Sequence, residues 1–284
     1  MSKIIISCDS TADMPESLIK DLDIKVYGLP VILGDKKHID GVDVVPADLF
    51  KYAEETGKLA TTSAANVADY TELFKGYTED GSTVIHFIIS STMSAAYNNA
   101  RIAAEDMENV HVINSKNLSS GIGYQVIVAA QMAKAGASAE EILNKLNDMQ
   151  EKMDCTFILD TLKYLHKGGR CSAVAALGAN VLKLKPCIEV RNGEMRVGKK
   201  YRGKLANVLC EYTDNIIAQK DDIVPDIAFV THTCLTDELP NMVADRLEKS
   251  GIFDKIYKVS ASSSIAVHCG PDTLGIIFLH RNKI

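Results

Sequence analysis

Apolar residues fall into short runs separated by amphipathic stretches, and the two kinds alternate through the first half of the chain. Lys3 to Cys8, with three consecutive isoleucines, predicts a buried strand, and Val84 to Ile89 and Val110 to Ile113 predict two more. Between and beyond them the apolar positions recur at helical spacing over Pro46 to Thr56, Val67 to Gly76, Ser94 to Met107, Gly121 to Lys134 and Ala139 to Met153. Strands alternating with helices predict a mostly parallel sheet covered by helices on both faces.

The rhythm changes after Met153. Ile188 to Val190 and Met195 to Val197 flank Arg191-Asn192-Gly193-Glu194, and Asn-Gly between apolar runs is a hairpin signal. Ile227 to Thr231 and Ile256 to Val259 predict strands enclosing a helix from about Glu238 to Lys249, and Leu274 to Leu279 closes the chain as a last strand. The fold expected is therefore two-domain α/β. Residues 1–153 form an N-terminal domain with the mostly parallel sheet, and residues 154–284 form a C-terminal mixed-sheet α/β domain. No internal repeat or low-complexity segment interrupts either part.

Composition narrows the classes of function. The 284 residues are 46% hydrophobic and 24% charged, ordinary for a globular protein with a real core. A formal net charge of -6 comes without an acidic block, and Lys183, Lys185 and the Lys199, Lys200, Arg202 group are too scattered for a nucleic-acid face. The N-terminal apolar run is too short for a signal-peptide core, and the weakly polar stretch from Ser172 to Leu182 is too short to span a bilayer. A cytoplasmic protein without stable membrane insertion is expected, and a monomer is the default. The seven cysteines are dispersed with no CxxC pair, which argues for reduced small hydrophobes rather than a disulfide framework or a zinc site. No metal and no cofactor are expected.

Three polar clusters remain at the ends of predicted strands. Thr61-Thr62-Ser63 precedes the helix near Val67, Ser90-Ser91-Thr92-Met93-Ser94 opens the next helix, and His268-Cys269-Gly270-Pro271-Asp272 leads into the last strand. The first two read either as plain N-caps or as an anion site, where free backbone N–H groups and neutral hydroxyls meet a carboxylate. His268 reads either as a structural histidine beside a turn or as a further N–H donor. Asp9-Ser10-Thr11 with Asp13 reads as a cap and turn, with metal or phosphate work as the other reading. Lys167-Gly168-Gly169-Arg170 matches neither a P-loop nor a dinucleotide fingerprint; it is a solvated turn or a loop presenting Arg170.

Taken in order, these motifs resemble the DegV family of fatty-acid-binding proteins, which includes the binding subunits of the bacterial fatty acid kinase system. The resemblance runs over nearly the whole chain. It covers Asp9-Ser10-Thr11-Ala12-Asp13 (similar to the family's DSTaD opening), Thr62-Ser63, the Ser90 to Ser94 segment with Tyr97, Lys167 to Arg170, and His268, Gly270 and Pro271 (similar to HxGPG). It implies that Thr62 and Ser94 hydrogen-bond a fatty-acid carboxylate, with Ser63 and Ala95 beside them and His268 next to the head group. It also implies an apolar tunnel for the acyl chain in the C-terminal domain, and Arg170 near the entrance, handling the phosphorylated head for a separate kinase. This chain departs at Ala64-Ala65-Asn66, where the family often has Gln-Pro-Ser. It departs again at Ala95-Ala96, where the family often has Gly-Thr, and at Asp272, which replaces a glycine. Ala95 adds a Cβ where backbone approaches the ligand, and an inward-facing Asp272 would repel a carboxylate.

The function expected is a carrier that holds a long-chain fatty acid such as palmitate or oleate and presents it to a separate fatty acid kinase, with no catalysis of its own. The alternative is a serine hydrolase or other small-molecule enzyme using Ser94 and His268 with Asp272, although no GxSxG elbow is present. A purely structural or regulatory interaction protein is a third reading.

Overall fold

The computed structural model describes residues 3–171 and 184–284. The stretch Ser172 to Leu182 and the basic Lys183 lie outside the described residues. In the first half the elements run β1 (Ile4–Asp9), α1 (Glu16–Asp21), β2 (Lys25–Tyr27), β3 (Pro30–Leu33), β4 (Lys36–Ile39), α2 (Pro46–Thr56) and β5 (Thr61–Thr62). They continue with α3 (Val67–Thr78), β6 (Thr83–Ile88), α4 (Ala96–Ala103), β7 (Val110–Asn114), α5 (Ser120–Lys134) and α6 (Ala139–Gln150). The second half runs β8 (Met153–Ile158), α7 (Lys163–Gly168), β9 (Leu184–Arg191), β10 (Glu194–Arg202), α8 (Leu205–Ile217) and β11 (Ile227–His232). It closes with α9 (Glu238–Ser250), β12 (Lys255–Ser260), α10 (Ser263–Cys269) and β13 (Leu274–Leu279).

Strands β2, β1, β6 and β7 form a wholly parallel sheet in that order, with Ile6 opposite Ile85 and Cys8 opposite Phe87. A mixed sheet follows in the order β10-β9-β8-β13-β11-β12, antiparallel except for the β11–β12 pair. The hairpin turn carries positive φ at both central residues, Asn192 (53°) and Gly193 (85°). That is the geometry Asn-Gly favours, and its twist matches the strands it joins.

The two sheets are covered in layers. Tyr70 and Phe74 of α3 and Ala96 and Ala100 of α4 pack on the outer face of the parallel sheet, against Val84 and Ile88. Val208, Leu209 and Tyr212 of α8 and Val243 and Leu247 of α9 cover the outer face of the mixed sheet. Between the sheets lies α5, whose residues Ser120 to Ile127 are all buried. A helix apolar on every side must be enclosed, and α5 meets β1 and β6 on one side and β8 and β13 on the other. One continuous core therefore joins Ile6 and Phe87 to Ile122 and Val126, and on to Phe157 and Ile277.

Several elements differ from the sequence expectation. The helix expected over Ser94 to Met107 shortens to α4, and the one expected to reach Met153 ends at Gln150. Met153 instead opens β8, whose six residues are all buried; a short apolar run of this kind has no period to separate strand from helix. The antiparallel sheet β4-β3-β5 was not anticipated, because strands of two to four residues leave almost no alternation to read. It matters for the site, since Thr62 is paired with Val31 there. Among the described residues no helix is long and apolar enough to cross a membrane.

The chain's end is pinned by charge. Buried His280 directs Nε2 at Asp154 (3.0 Å) and Nδ1 at Asp222 (2.9 Å), and Arg191 also reaches Asp154 (3.2 Å). Both ring nitrogens face carboxylates, which favours the imidazolium; the bond to Asp154 leads in holding its pKa above the ordinary value. Stabilisation of this kind is full below the unfolded-state pKa and fades as pH rises through the folded one. His280→Gln should therefore cost about 1–2 kcal/mol at pH 5.5 and less at pH 8.5, read from urea unfolding at both values; an equal cost at both would show that the ring is not charged.

Candidate functional site

Loops at the carboxyl ends of parallel strands are where open α/β sheets place ligands, and three such loops converge here. Thr11 follows β1; Ile89, Met93, Ser94 and Ala95 follow β6; Leu118 follows β7; all six line one cavity of ≈ 180 Å³. Its other walls come from Leu29, Thr62, Ser63 and Ala64, from Leu165 and Arg170, from Met195 of β10, and from Ser264, Ile265, His268 and Cys269 of α10.

Helix α10 is held in place from a distance. Asp40 accepts from the backbone N–H of Ser263 (2.9 Å) and Ser264 (3.0 Å), and Asp13 accepts from that of Ser262 (2.8 Å). These donors are the orphan amides of a helix start, and carboxylates suit them. Asp13 also receives the Ser119 hydroxyl and Asp40 that of Ser10 (2.8 Å). Burial still pushes the Asp13 carboxyl up to about 7, against the lowering by Ser119 and Ser262. Asp9 is pushed up to about 6 by burial while binding the Thr11 backbone N–H at 2.9 Å. The Asp9 to Asp13 motif is thus a turn whose last carboxylate caps α10, far along the chain, and not the adjoining α1, which starts after Pro15.

His268 lies in the last turn of α10 rather than in a turn between elements. Its Nε2 is 3.0 Å from Thr62 Oγ1, and its Nδ1 is buried without a partner. Burial, with a smaller push from the Arg170 charge, drops its pKa to about 4, so the ring is neutral at pH 7. With its proton on Nε2 the neutral imidazole donates to Thr62 Oγ1, and the threonine hydrogen is then free to point at an acceptor in the cavity.

The two glycines of Lys167-Gly168-Gly169-Arg170 have separate reasons. Gly169 ends α7 in the left-handed region, φ 67°, where a Cβ is disfavoured. Gly168 permits close approach, since a Cβ there would stand 2.6 Å from His268 Nδ1. Arg170, exposed, donates to the Gly168 carbonyl at 2.5 Å and borders the cavity.

Thr62, Ser63, Ser94, Ala95, Arg170 and His268, all named from sequence, are brought to this one cavity. The reason given for one of them needs correction. Thr62 is no helix cap: it sits on β5, and α3 is capped by Asn66 in a reciprocal box with Asp69. Ser94 does accept the Ala96 N–H, at 3.2 Å, ahead of α4. The neighbouring hydroxyls of Ser90 and Thr92 are committed to the Gly193 carbonyl of the hairpin and hold the two halves together. Ala95 has φ −72°, so its backbone conformation does not call for glycine. Asp272 is not among the cavity residues; it adopts φ 56° and interacts with Cys234, Asp160 and Lys185. The hydrolase geometry is not assembled, because His268 faces Thr62 with Nε2 and no carboxylate with Nδ1.

Sequence reasoning missed Thr11, Ser264, Ile265 and Cys269 as cavity residues. The four-residue spacing from Ser264 to His268 is the signal that one helical face carries both. A deeper space of ≈ 30 Å³ shares Leu118, Ile265 and Cys269 with the cavity and runs on between Cys155 and Phe157 of β8 and Ile277 of β13. Outward, a cleft of ≈ 370 Å³ shares Thr62, Arg170 and His268 and adds Lys58 and Lys167. A larger cleft, ≈ 600 Å³, opens at the opposite ends of β1 and β6 and contains none of these hydroxyls. Among the described residues no group of His, Cys, Asp and Glu could hold a metal ion.

The geometry defines an α/β protein with a hydroxyl- and imidazole-bearing cavity at the carboxyl ends of its parallel strands, next to a smaller space against the mixed sheet. The chain belongs to the DegV family: that family's profile, described as one of uncharacterised proteins, matches residues 3–281. A DegV domain-containing protein of Caldanaerobacter subterraneus is 32% identical over 98% of this chain and 99% of its own length. Among solved structures, a DegV family protein from Thermus thermophilus, described for its fatty acid binding, superposes with a TM-score of 0.91 at 24% identity, covering 98% of this chain and 99% of its own. A stearic-acid-binding protein from Eubacterium ventriosum is 26% identical with a TM-score of 0.85, covering 99% of both chains.

The two glycines should separate in mutation. Gly169→Ala is expected to cost about 1 kcal/mol and leave His268 titrating near 4. Gly168→Ala should push the ring off Thr62 and raise that pKa toward the solvated value, followed by NMR titration of the His268 ring; identical titrations in both variants would remove the close-approach argument.

Proposed function

We propose that this protein carries a long-chain fatty acid such as palmitate or oleate and presents its carboxylate to a separate fatty acid kinase. The observation that carries the reading is the adjacency of two cavities that share a wall of Leu118, Ile265 and Cys269. Neutral donors at Thr62, Ser94 and His268 stand at one end, and Leu118, Ile265, Phe157 and Ile277 lead from them between the sheets. Binding of stearic acid by the Eubacterium ventriosum relative supports the same ligand class here.

Each methylene buried contributes about 0.8 kcal/mol, so the tail supplies affinity while the hydroxyls fix which end stays at the mouth. Ligand sites usually measure about 300–1,000 Å³, more than the ≈ 180 and ≈ 30 Å³ of these two cavities. A sixteen-carbon tail therefore requires side chains to turn aside. Met93 and Met195 line the cavity, and methionine is the side chain that repacks most readily.

Uncharged donors hold the carboxylate without neutralising it, which leaves an oxygen nucleophilic. That oxygen would attack the γ-phosphorus of ATP on the kinase, the bond from phosphorus to the β,γ-bridging oxygen would break, and ADP would leave with the negative charge. Lys58, Lys167 and Arg170 in the outer cleft suit the phosphoryl oxygens of the acyl phosphate. Catalysis by the carrier itself is not part of this reading, because His268 lacks a carboxylate to orient it as a base. The proposed setting is cytoplasmic, where ATP is available.

Mass spectrometry of an organic extract tests the reading. The purified protein should release a fatty acid in near-stoichiometric amount, and Thr62→Ala with Ser94→Ala should lower its affinity for palmitate roughly tenfold or more with the fold intact. A protein that purifies empty and ignores added palmitate and oleate would refute it. Ester hydrolysis dependent on Ser94 would instead favour the hydrolase.

A further inference from the structure

Besides His268 Nδ1, which lies against Gly168, one cavity residue keeps an unpaired hydroxyl. Ser264 is 5% exposed, lines the cavity, and its Oγ is buried with no hydrogen-bond partner. Buried hydroxyls are nearly always paired, so the exception asks for a partner. Capping does not explain it, since the Ser264 contact at the helix start is made by its backbone N–H to Asp40.

We propose that Ser264 is a further ligand-binding residue and that the site takes acyl acids oxygenated close to the carboxyl end, a 3-hydroxy fatty acid being the simplest. The inference rests on the carrier reading for the position of the carboxylate. Ser264 and His268 are four residues apart on α10, hence on one face and about 6 Å apart along the axis. An acid whose carboxylate meets Thr62 and His268 runs its first few carbons past Ser264 on the way to Ile265 and Cys269. An oxygen on the third carbon lies within reach to accept the Ser264 hydrogen. A hydroxyl there also needs an acceptor, and Thr11, a cavity residue whose own hydrogen goes to Asp9, is the candidate. An unsubstituted chain offers only methylenes and leaves the Ser264 donor dry and unpaired.

Competition binding decides it, with palmitate, 3-hydroxypalmitate and 16-hydroxypalmitate against the wild type and Ser264→Ala. The wild type should prefer 3-hydroxypalmitate to palmitate by roughly fivefold, the size of one buried hydrogen bond, and should show no such gain for 16-hydroxypalmitate. In Ser264→Ala the preference should vanish while palmitate binds as well as before or better. If palmitate binds but the wild type shows no preference, or the preference survives in Ser264→Ala, the inference is wrong and the carrier reading stands. If no acid binds, the carrier reading fails and the inference falls with it.

Discussion

Two buried carboxylates gripping the start of one helix organise the functional half of this molecule. Asp13 and Asp40 come from the first forty residues, yet their acceptors are filled by the amides of Ser262, Ser263 and Ser264. A carboxylate out of water is tolerable only when donors replace its hydration, and a helix start out of water needs acceptors for the same reason. Each requirement answers the other. The result fixes α10 across the gap between the two sheets and sets the direction of every side chain on its inner face. Loss of either carboxylate would leave orphan amides in the core, which is why this contact constrains the fold as well as the cavity.

From that anchor the mouth follows. The α10 axis sends His268 to Thr62 of β5, and α7 can lie close beside the imidazole because residue 168 has no side chain. Burial then removes the imidazole's charge near neutral pH. The site consequently offers neutral hydrogen-bond donors, with the exposed Arg170 at its border and Lys58 and Lys167 in the cleft outside. Such a division suits a carboxylate that must be held but remain reactive, with the charge reserved for what approaches from solvent.

Much of this was legible in the sequence, and the gaps have physical causes. Long periodic helices such as Pro46 to Thr56, and the Asn192-Gly193 turn, are encoded by local pattern and came through almost to the residue. The strand β8 and the small sheet carrying Thr62 did not, since uniform burial and two-residue strands leave no period. For the site, the six residues named at the outset do meet at one cavity, but local chemistry alone suggested the wrong reason for Thr62. Its position depends on a strand pairing and on a helix some two hundred residues away. Asp13 and Ser264 were hidden for the same reason: a cap that reaches across the whole chain and an unpaired hydroxyl exist only in three dimensions.

The central claim is directional, with the acid's carboxylate at Thr62 and its tail toward Phe157 and Ile277. Anomalous diffraction from crystals grown with 16-bromohexadecanoic acid tests it most directly. The account predicts a bromine peak between β8 and β13, with the carboxylate against Thr62, Ser94 and His268. A bromine peak at the mouth beside Arg170, or density for the acid in the cleft at the far ends of β1 and β6, would contradict it.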